Sequence, residues 1–177
     1  MEEFVERVLI PTAEIYQRLD ELAQQIRKDF QDKELTVVAV LNGSLIFAAD
    51  LLRRLPLPLK LDCISASSYH GGIESSGTVN LANLPDINGR HVLILEDILD
   101  TGLTLTAIQE ELGKLCPLSL RVCVLLRKRK RRAHLVTADY IGFDIEDEFV
   151  IGYGLDYQEK YRNLPYIGIL KESAREE

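Results

Sequence analysis

The fold turns on one stretch, His91-Val-Leu-Ile-Leu-Glu-Asp-Ile-Leu-Asp-Thr-Gly-Leu-Thr104. Residues 91–95 are a short apolar run, the pattern of a strand buried on both faces of a sheet. Three carboxylates follow, Glu96, Asp97 and Asp100. Thr101-Gly102-Leu103-Thr104 then opens a helix that carries Leu105, Ile108, Leu112 and Leu115 on one face. The N–H groups and dipole at such a helix start bind an anion, and Gly102 lets the backbone approach it closely. The carboxylates suit a Mg²⁺ ion, a sugar diol or a proton. An acidic first turn accounts for one carboxylate at a helix start, not for three beside a Thr-Gly-x-Thr element.

Working outward, Thr12 is placed to cap a helix whose apolar positions Ile15, Leu19, Leu22 and Ile26 share one face. The β-branched run over 35–41 reads as a buried strand, broken by Asn42-Gly43-Ser44. A helix is expected over 46–55, stopped by Pro56 and Pro58. A strand follows over 59–66, then a long polar loop over 67–83 of the kind that serves as a lid. Further strands are expected over 118–126, 141–143, 149–153 and 166–170. This alternation predicts an α/β fold, a mostly parallel central sheet flanked by helices on both faces. Ligands of such sheets sit beyond the carboxyl ends of the strands, which points to the loops after residues 41, 66, 95 and 126.

Composition narrows the setting. A chain of 177 residues, 46% hydrophobic and 28% charged, suits one globular domain. No apolar run approaches the roughly 20 residues that a membrane helix needs, and the acidic start lacks a signal-peptide core, so an intracellular setting is expected. Lys and Arg number 21 against 28 Asp and Glu, a net charge of −7, which argues against a nucleic-acid-coating surface. A phosphate ligand would therefore need a local positive charge to offset the protein's own field. Cys63, Cys116 and Cys123 form no C-x-x-C, and His70, His91 and His134 are scattered, so no zinc spacing is present. Buried, reduced thiols are expected.

Val92-Leu-Ile-Leu-Glu-Asp-Ile-Leu-Asp-Thr-Gly-Leu-Thr104 resembles the phosphoribosyl-pyrophosphate (PRPP) signature of type I phosphoribosyltransferases. Phe149-Val-Ile-Gly-Tyr-Gly-Leu-Asp-Tyr-Gln-Glu-Lys-Tyr-Arg-Asn-Leu164 is similar to the purine-binding and closing segment of hypoxanthine-guanine phosphoribosyltransferases. Leu41-Asn-Gly-Ser44 and Ser67-Ser-Tyr69 fall where that family has its pyrophosphate loop and its lid. Four separated motifs thus occur in the family's order, over about residues 10–170. The resemblance implies a single domain over 1–177, with a core over about 35–145 and a small hood from about 1–15 and 146–177. It implies transfer of the 5-phosphoribosyl group from PRPP to hypoxanthine or guanine, giving IMP or GMP and pyrophosphate. It further implies a Mg²⁺ cofactor, a homodimer or homotetramer, a cytoplasmic location, and neither nucleic acid nor membrane as partner.

Residue by residue, the resemblance implies that Glu96 and Asp97 hold the ribose hydroxyls and a Mg²⁺ ion, with a second ion near Asp156. Asp100 is similar to the family's proton acceptor at purine N7. Thr101, Gly102, Leu103 and Thr104 would cradle the 5′-phosphate, and Asn42, Gly43 and Arg162 would hold pyrophosphate. Where this chain has Asn42 the family often has Lys or Arg, so backbone N–H groups would serve, through a Leu41–Asn42 cis peptide. Phe149 would stack on the purine, the main chain at Val150 would read its edge, and Asp156 would lie beside it. Lys128 would donate to the 6-oxo group, with Lys130 a second candidate in the same run, Arg127 to Arg132. Ser68 and Tyr69 would form the lid. Two rivals remain at this point: a transferase for xanthine, adenine or a pyrimidine, and an RNA-binding regulator on the same fold that uses the basic run.

Overall fold

In the computed structural model the described residues are 4–68, 79–82, 84–130 and 136–175. Strands β1 (Val5–Ile10), β2 (Leu35–Leu41), β3 (Leu59–Ser68), β4 (Val79–Ala82), β5 (His91–Leu99), β6 (Ser119–Lys128), β7 (Tyr140–Ile145), β8 (Val150–Ile151) and β9 (Ile167–Leu170) combine with helices α1 (Thr12–Phe30), α2 (Leu45–Leu52) and α3 (Leu103–Gly113). Six strands form one sheet in the order β4-β3-β2-β5-β6-β7, parallel except for β4, and β1-β9-β8 form a small antiparallel sheet. The expected α/β architecture is present, with α1 and α2 on one face and α3 on the other.

Strand alternation explains this layering, because neighbouring residues in a strand point to opposite faces. Val37, Ala39, Leu93, Leu95, Cys123 and Leu125 join Ile15, Leu19, Leu22, Ile26, Phe47 and Leu51 in one core. Their neighbours Val38, Val40, Val92, Ile94, Val122 and Val124 join Leu105, Ile108 and Leu112 in another. The stretches 37–40, 92–95 and 122–125 at the middle of the sheet are therefore apolar whichever way each residue points. The chain leaves β2 toward β3 on one side and later enters β5 on the other, so the strand order reverses between β2 and β5. The carboxyl ends of these two strands flank the crevice where open α/β sheets bind their ligands.

Several expectations are corrected. Pro11, not Thr12, occupies the cap position of α1, and the Thr12 hydroxyl instead donates to Pro165 O (2.7 Å), tying the helix start to the chain's last segment. Helix α2 ends at Leu52, ahead of the prolines. The span 67–83 is not wholly loop: β3 runs on through Ser68 and pairs with β4, Ser67 opposite Asn80. Glu96 and Asp97 lie within β5 rather than beyond it, since Glu96 pairs with Val124 and Ile98 with Leu126. Strand β6 likewise takes in Arg127 and Lys128, so the basic run does not end it at Leu126. Cys123 is buried, but Cys63 is half-buried and Cys116 exposed. Strand β1 is an addition that the pattern of alternation did not predict.

Candidate active site

The turn after β5 is set by Gly102, whose φ of +86° lies in the left-handed region that side chains disfavour. It stands at the cap of α3, and its carbonyl accepts the Thr106 N–H (2.9 Å). Opposite, the Leu41–Asn42 peptide is cis, as the resemblance implies. Gly43 has no room for a side chain: a Cβ there would stand 1.8 Å from Asp97 Oδ2. A Cβ on Gly154 would meet Gly43 O at 2.1 Å. Two backbones and one carboxylate thus close on one another where β2, β5 and the segment after β8 converge.

Two clefts adjoin at this point. One, of about 330 Å³, is lined by Asn42, Gly43, Glu96, Asp97, Asp100, Thr101, Gly102, Thr104, Asp156 and Arg162, among others. The second, of about 200 Å³, is lined by Lys128, Phe149, Val150 and Leu155. Asp97, Ile98, Asp100 and Asp156 line both. The structure therefore brings together nearly all the residues singled out from sequence, and sorts them into a polar cleft and an aromatic one. Leu103 lines neither; its N–H donates to Thr101 Oγ1 (3.3 Å). Ser68 ends β3, and Tyr69 lies outside the described residues.

The electrostatics differ sharply within a few residues. Glu96 is buried, 7% exposed; burial first, and then the adjacent Asp97 charge, pushes its carboxyl well above the usual range. Burial also raises Asp97, against hydrogen bonds from Glu96 and the Ile98 N–H and the nearby Arg162 charge. Glu96 Oε1 accepts the Asp97 N–H (3.3 Å), while Oε2 is buried with no hydrogen-bond partner among the described residues. A buried oxygen left in that condition, beside a second carboxylate, fits a cation or a sugar hydroxyl. At Asp100, burial acts upward but is outweighed by Lys130 and Lys128, which hold the carboxyl below its usual range. Lys128 Nζ lies 3.2 Å from Asp100 Oδ2, and Lys130 Nζ pairs with Oδ1.

The rim is braced from the C-terminal segment. Arg162 donates to Gly154 O (2.7 Å) and pairs with Asp156 Oδ1 (2.9 Å), while Asp156 Oδ2 accepts the Glu159 N–H (2.8 Å). The buried Tyr153 hydroxyl donates to Asp50 Oδ2 (2.6 Å), joining this segment to α2. Phe149 meets Tyr157 edge-on, centroids 5.6 Å apart at 89°, and keeps 37% of its surface exposed. Sequence reasoning missed Asp50, Tyr153, Asp147 and Gly154. The Gly-Tyr-Gly spacing was the available signal for a close approach at Gly154; Asp147 gave none.

A parallel sheet with a phosphate-type turn and an acidic pair at its switch point defines a class of ribosyl-transfer enzyme rather than a single member. The model of the phosphoribosyl transferase domain matches residues 11–158, and the chain belongs to that family. Within it the similarity runs to proteins that act on hypoxanthine and guanine. A hypoxanthine-guanine phosphoribosyltransferase of Streptococcus pneumoniae is 42% identical over 176 residues, 98% of each chain. A hypoxanthine phosphoribosyltransferase of Salmonella typhimurium is 46% identical over 165 residues, 91% of this chain and 93% of its own. The crystal structure of a Staphylococcus aureus hypoxanthine phosphoribosyltransferase matches with a TM-score of 0.93 at 45% identity, covering 98% of this chain and 96% of that one.

Proposed function

We propose that the chain transfers the 5-phosphoribosyl group of PRPP to hypoxanthine and guanine, releasing pyrophosphate. The observation that carries this is the pair of adjoining clefts that share Asp97, Ile98, Asp100 and Asp156. A phosphorylated sugar in the polar cleft presents its C1′ toward a base in the aromatic one. There the purine N9–C1′ bond forms as the C1′–pyrophosphate bond breaks, and the N7 proton passes to Asp100. Phe149 offers its face for stacking, and Lys128 donates to the 6-oxo group. An ammonium cannot pair with the amino group of adenine, and a buried polar group left unpaired is costly. Arg162 and the backbone at Asn42 and Gly43 face the leaving pyrophosphate.

Glu96 and Asp97 are the residues that would hold one Mg²⁺, and Asp156 would stand near a second. When bound, Mg²⁺ supplies positive charge to the pyrophosphate and orients it with the ribose diol. This also supplies the local charge that an acidic chain needs around a polyanionic substrate. An RNA-binding role for the basic run is disfavoured by the pairing of its described residues, 127–130: Arg127 engages Asp144 (2.6 and 2.9 Å), Arg129 engages Glu146 (3.5 Å), and Lys128 and Lys130 share Asp147. The free thiols accord with a cytoplasmic location, and the exposed Tyr16, Leu45 and Leu61 with a homodimer or homotetramer.

The test is a panel of hypoxanthine, guanine, xanthine and adenine, each with PRPP and Mg²⁺, read by nucleotide formation. IMP and GMP are expected, with adenine inert, and EDTA should abolish turnover until Mg²⁺ is restored. No nucleotide from any 6-oxopurine would overturn the reading.

A further inference from the structure

The run Arg127-Lys-Arg-Lys130 is sorted by the end of β6. Arg127 and Lys128 point to opposite sides of the strand, and a tight turn follows, with the Lys130 N–H donating to Lys128 O (3.1 Å). The ladder to β7 continues past Lys128, with the Arg129 N–H donating to Ile145 O (2.7 Å). Arg127 and Arg129 consequently reach Asp144 and Glu146, while Lys128 and Lys130 both turn toward Asp100 and Asp147. The two lysines then differ. Lys128 lines the aromatic cleft and lies against Asp100 Oδ2 (3.2 Å); Lys130 is not among the cleft's lining residues and pairs with Oδ1. Asp147 holds both ammonium groups, Lys128 at 3.0 Å and Lys130 at 3.1 and 3.2 Å.

We propose that Lys130 is a positioning residue for Asp100, anchoring Oδ1 so that Oδ2 is presented to the base. The inference rests on the function proposed above. A 6-oxopurine carries O6 and N7 on neighbouring atoms of one edge, and Lys128 Nζ with Asp100 Oδ2 forms a matching donor and acceptor. When the base arrives, Lys128 transfers its contact from Oδ2 to O6, and the N7–H takes its place on Oδ2. With Lys128 gone, Asp100 would be free to rotate about its terminal bond. Lys130 prevents this, and Asp147 keeps Lys130 from swinging out to solvent. Lys130 touches neither substrate, so its effect is exerted through Asp100.

Steady-state kinetics of the full chain with hypoxanthine and PRPP separates this from the alternatives. Lys130→Met should lower kcat about tenfold while both KM values stay within about twofold, because misplacing a group that acts in the transition state leaves ground-state binding intact. Lys130→Gln, of similar length and uncharged, should behave alike, and Lys130→Arg should restore kcat to within about threefold, since it keeps the ion pair. A raised hypoxanthine KM in Lys130→Met would overturn the proposal in favour of direct base contact. Unchanged kcat in Lys130→Met and Lys130→Gln would overturn it in favour of a solvated surface charge. Absence of transfer by the wild-type protein would fell the functional reading and this role together, whereas an active wild type with an indifferent Lys130 fells the role alone.

Discussion

Glu96 and Asp97 stand three or four residues from Asp100, yet the two sets of carboxylates live under opposite electrostatics. The first pair is buried, adjacent and mutually repelling, with one oxygen of Glu96 left without a hydrogen-bond partner among the described residues. Asp100 has an ammonium group at each oxygen. The difference comes from where the strands end. Glu96 and Asp97 lie inside β5, between β2 and β6, while Asp100 lies past its end, within reach of lysines projecting from the end of β6 and just beyond it. The buried pair is therefore only partly compensated, at Asp97 by the Ile98 N–H and the Arg162 charge, until a cation or a hydroxylated ligand arrives. Asp100, by contrast, is held ionised in advance, as a proton acceptor must be.

The comparison is broken most severely at Asp100. Asp100→Asn keeps the size and the hydrogen bonding but cannot take a proton, so kcat should fall by about 10²–10⁴ with PRPP binding largely kept. Weakened PRPP binding with kcat intact would move Asp100 to the phosphate site. Next comes Lys128→Ala, which should raise the KM for hypoxanthine and guanine by about 10–100-fold, the worth of a hydrogen bond to a charged group. Equilibrium binding of the product nucleotide, weakened to match, is the check.

The buried pair should respond in the opposite sense, gaining stability as it loses function. Glu96→Gln removes a charge that burial and Asp97 disfavour, so the ligand-free protein should gain about 0.5–2 kcal/mol at pH 8 while PRPP binding falls. The sign with pH follows from the raised carboxyl. The folded wild type takes up this proton at higher pH than the unfolded chain, so the cost is present at high pH and is relieved as pH falls. The advantage of Glu96→Gln in thermal midpoint should shrink from pH 8 toward pH 5; a constant difference would mean that Glu96 titrates alike in the folded and unfolded chains, its carboxyl unshifted by burial. Smallest of all, Arg129→Ala should change stability by less than about 1 kcal/mol, as exposed ion pairs do, with kcat/KM unaltered.

The centre of the sheet was legible because burial on both faces leaves a continuous apolar run, as in 35–41 and 91–95, and nothing in those runs competes with the strand reading. The strand ends were not. Glu96 to Leu99 remain in β5 through ladder partners on β6 that no local pattern reveals. Charges at 127 and 128 look like a terminator, yet acids on and just after β7 balance them. Strand β1 escaped notice because only Ile10 is buried, so its alternation carries no signal. The site residues were legible where several chemical types crowd one turn, as at 96–104. Asp147 and Asp50 were not. Asp147 is one of four acids in Asp144-Ile-Glu-Asp-Glu148, and nothing local marks it as the one that holds Lys128 and Lys130. Asp50 pairs locally with Arg53, and its bond from Tyr153 comes from far along the chain.

The pairing of β1 with β9 has a bearing on biosynthesis. Val5 to Ile10 leave the ribosome well before the strand they pair with, Ile167 to Leu170. At ~5–20 residues per second, that leaves the first strand waiting roughly 10–30 s for its partner. Gly154 and Arg162, which complete the rim over Gly43, emerge only shortly before β9. A nascent chain can assemble its parallel sheet and its phosphate turn well before the site is whole. Products of premature termination that end between residues 104 and 148 would therefore carry the acidic pair and the turn but neither Phe149 nor Arg162, and would be inert rather than partly active.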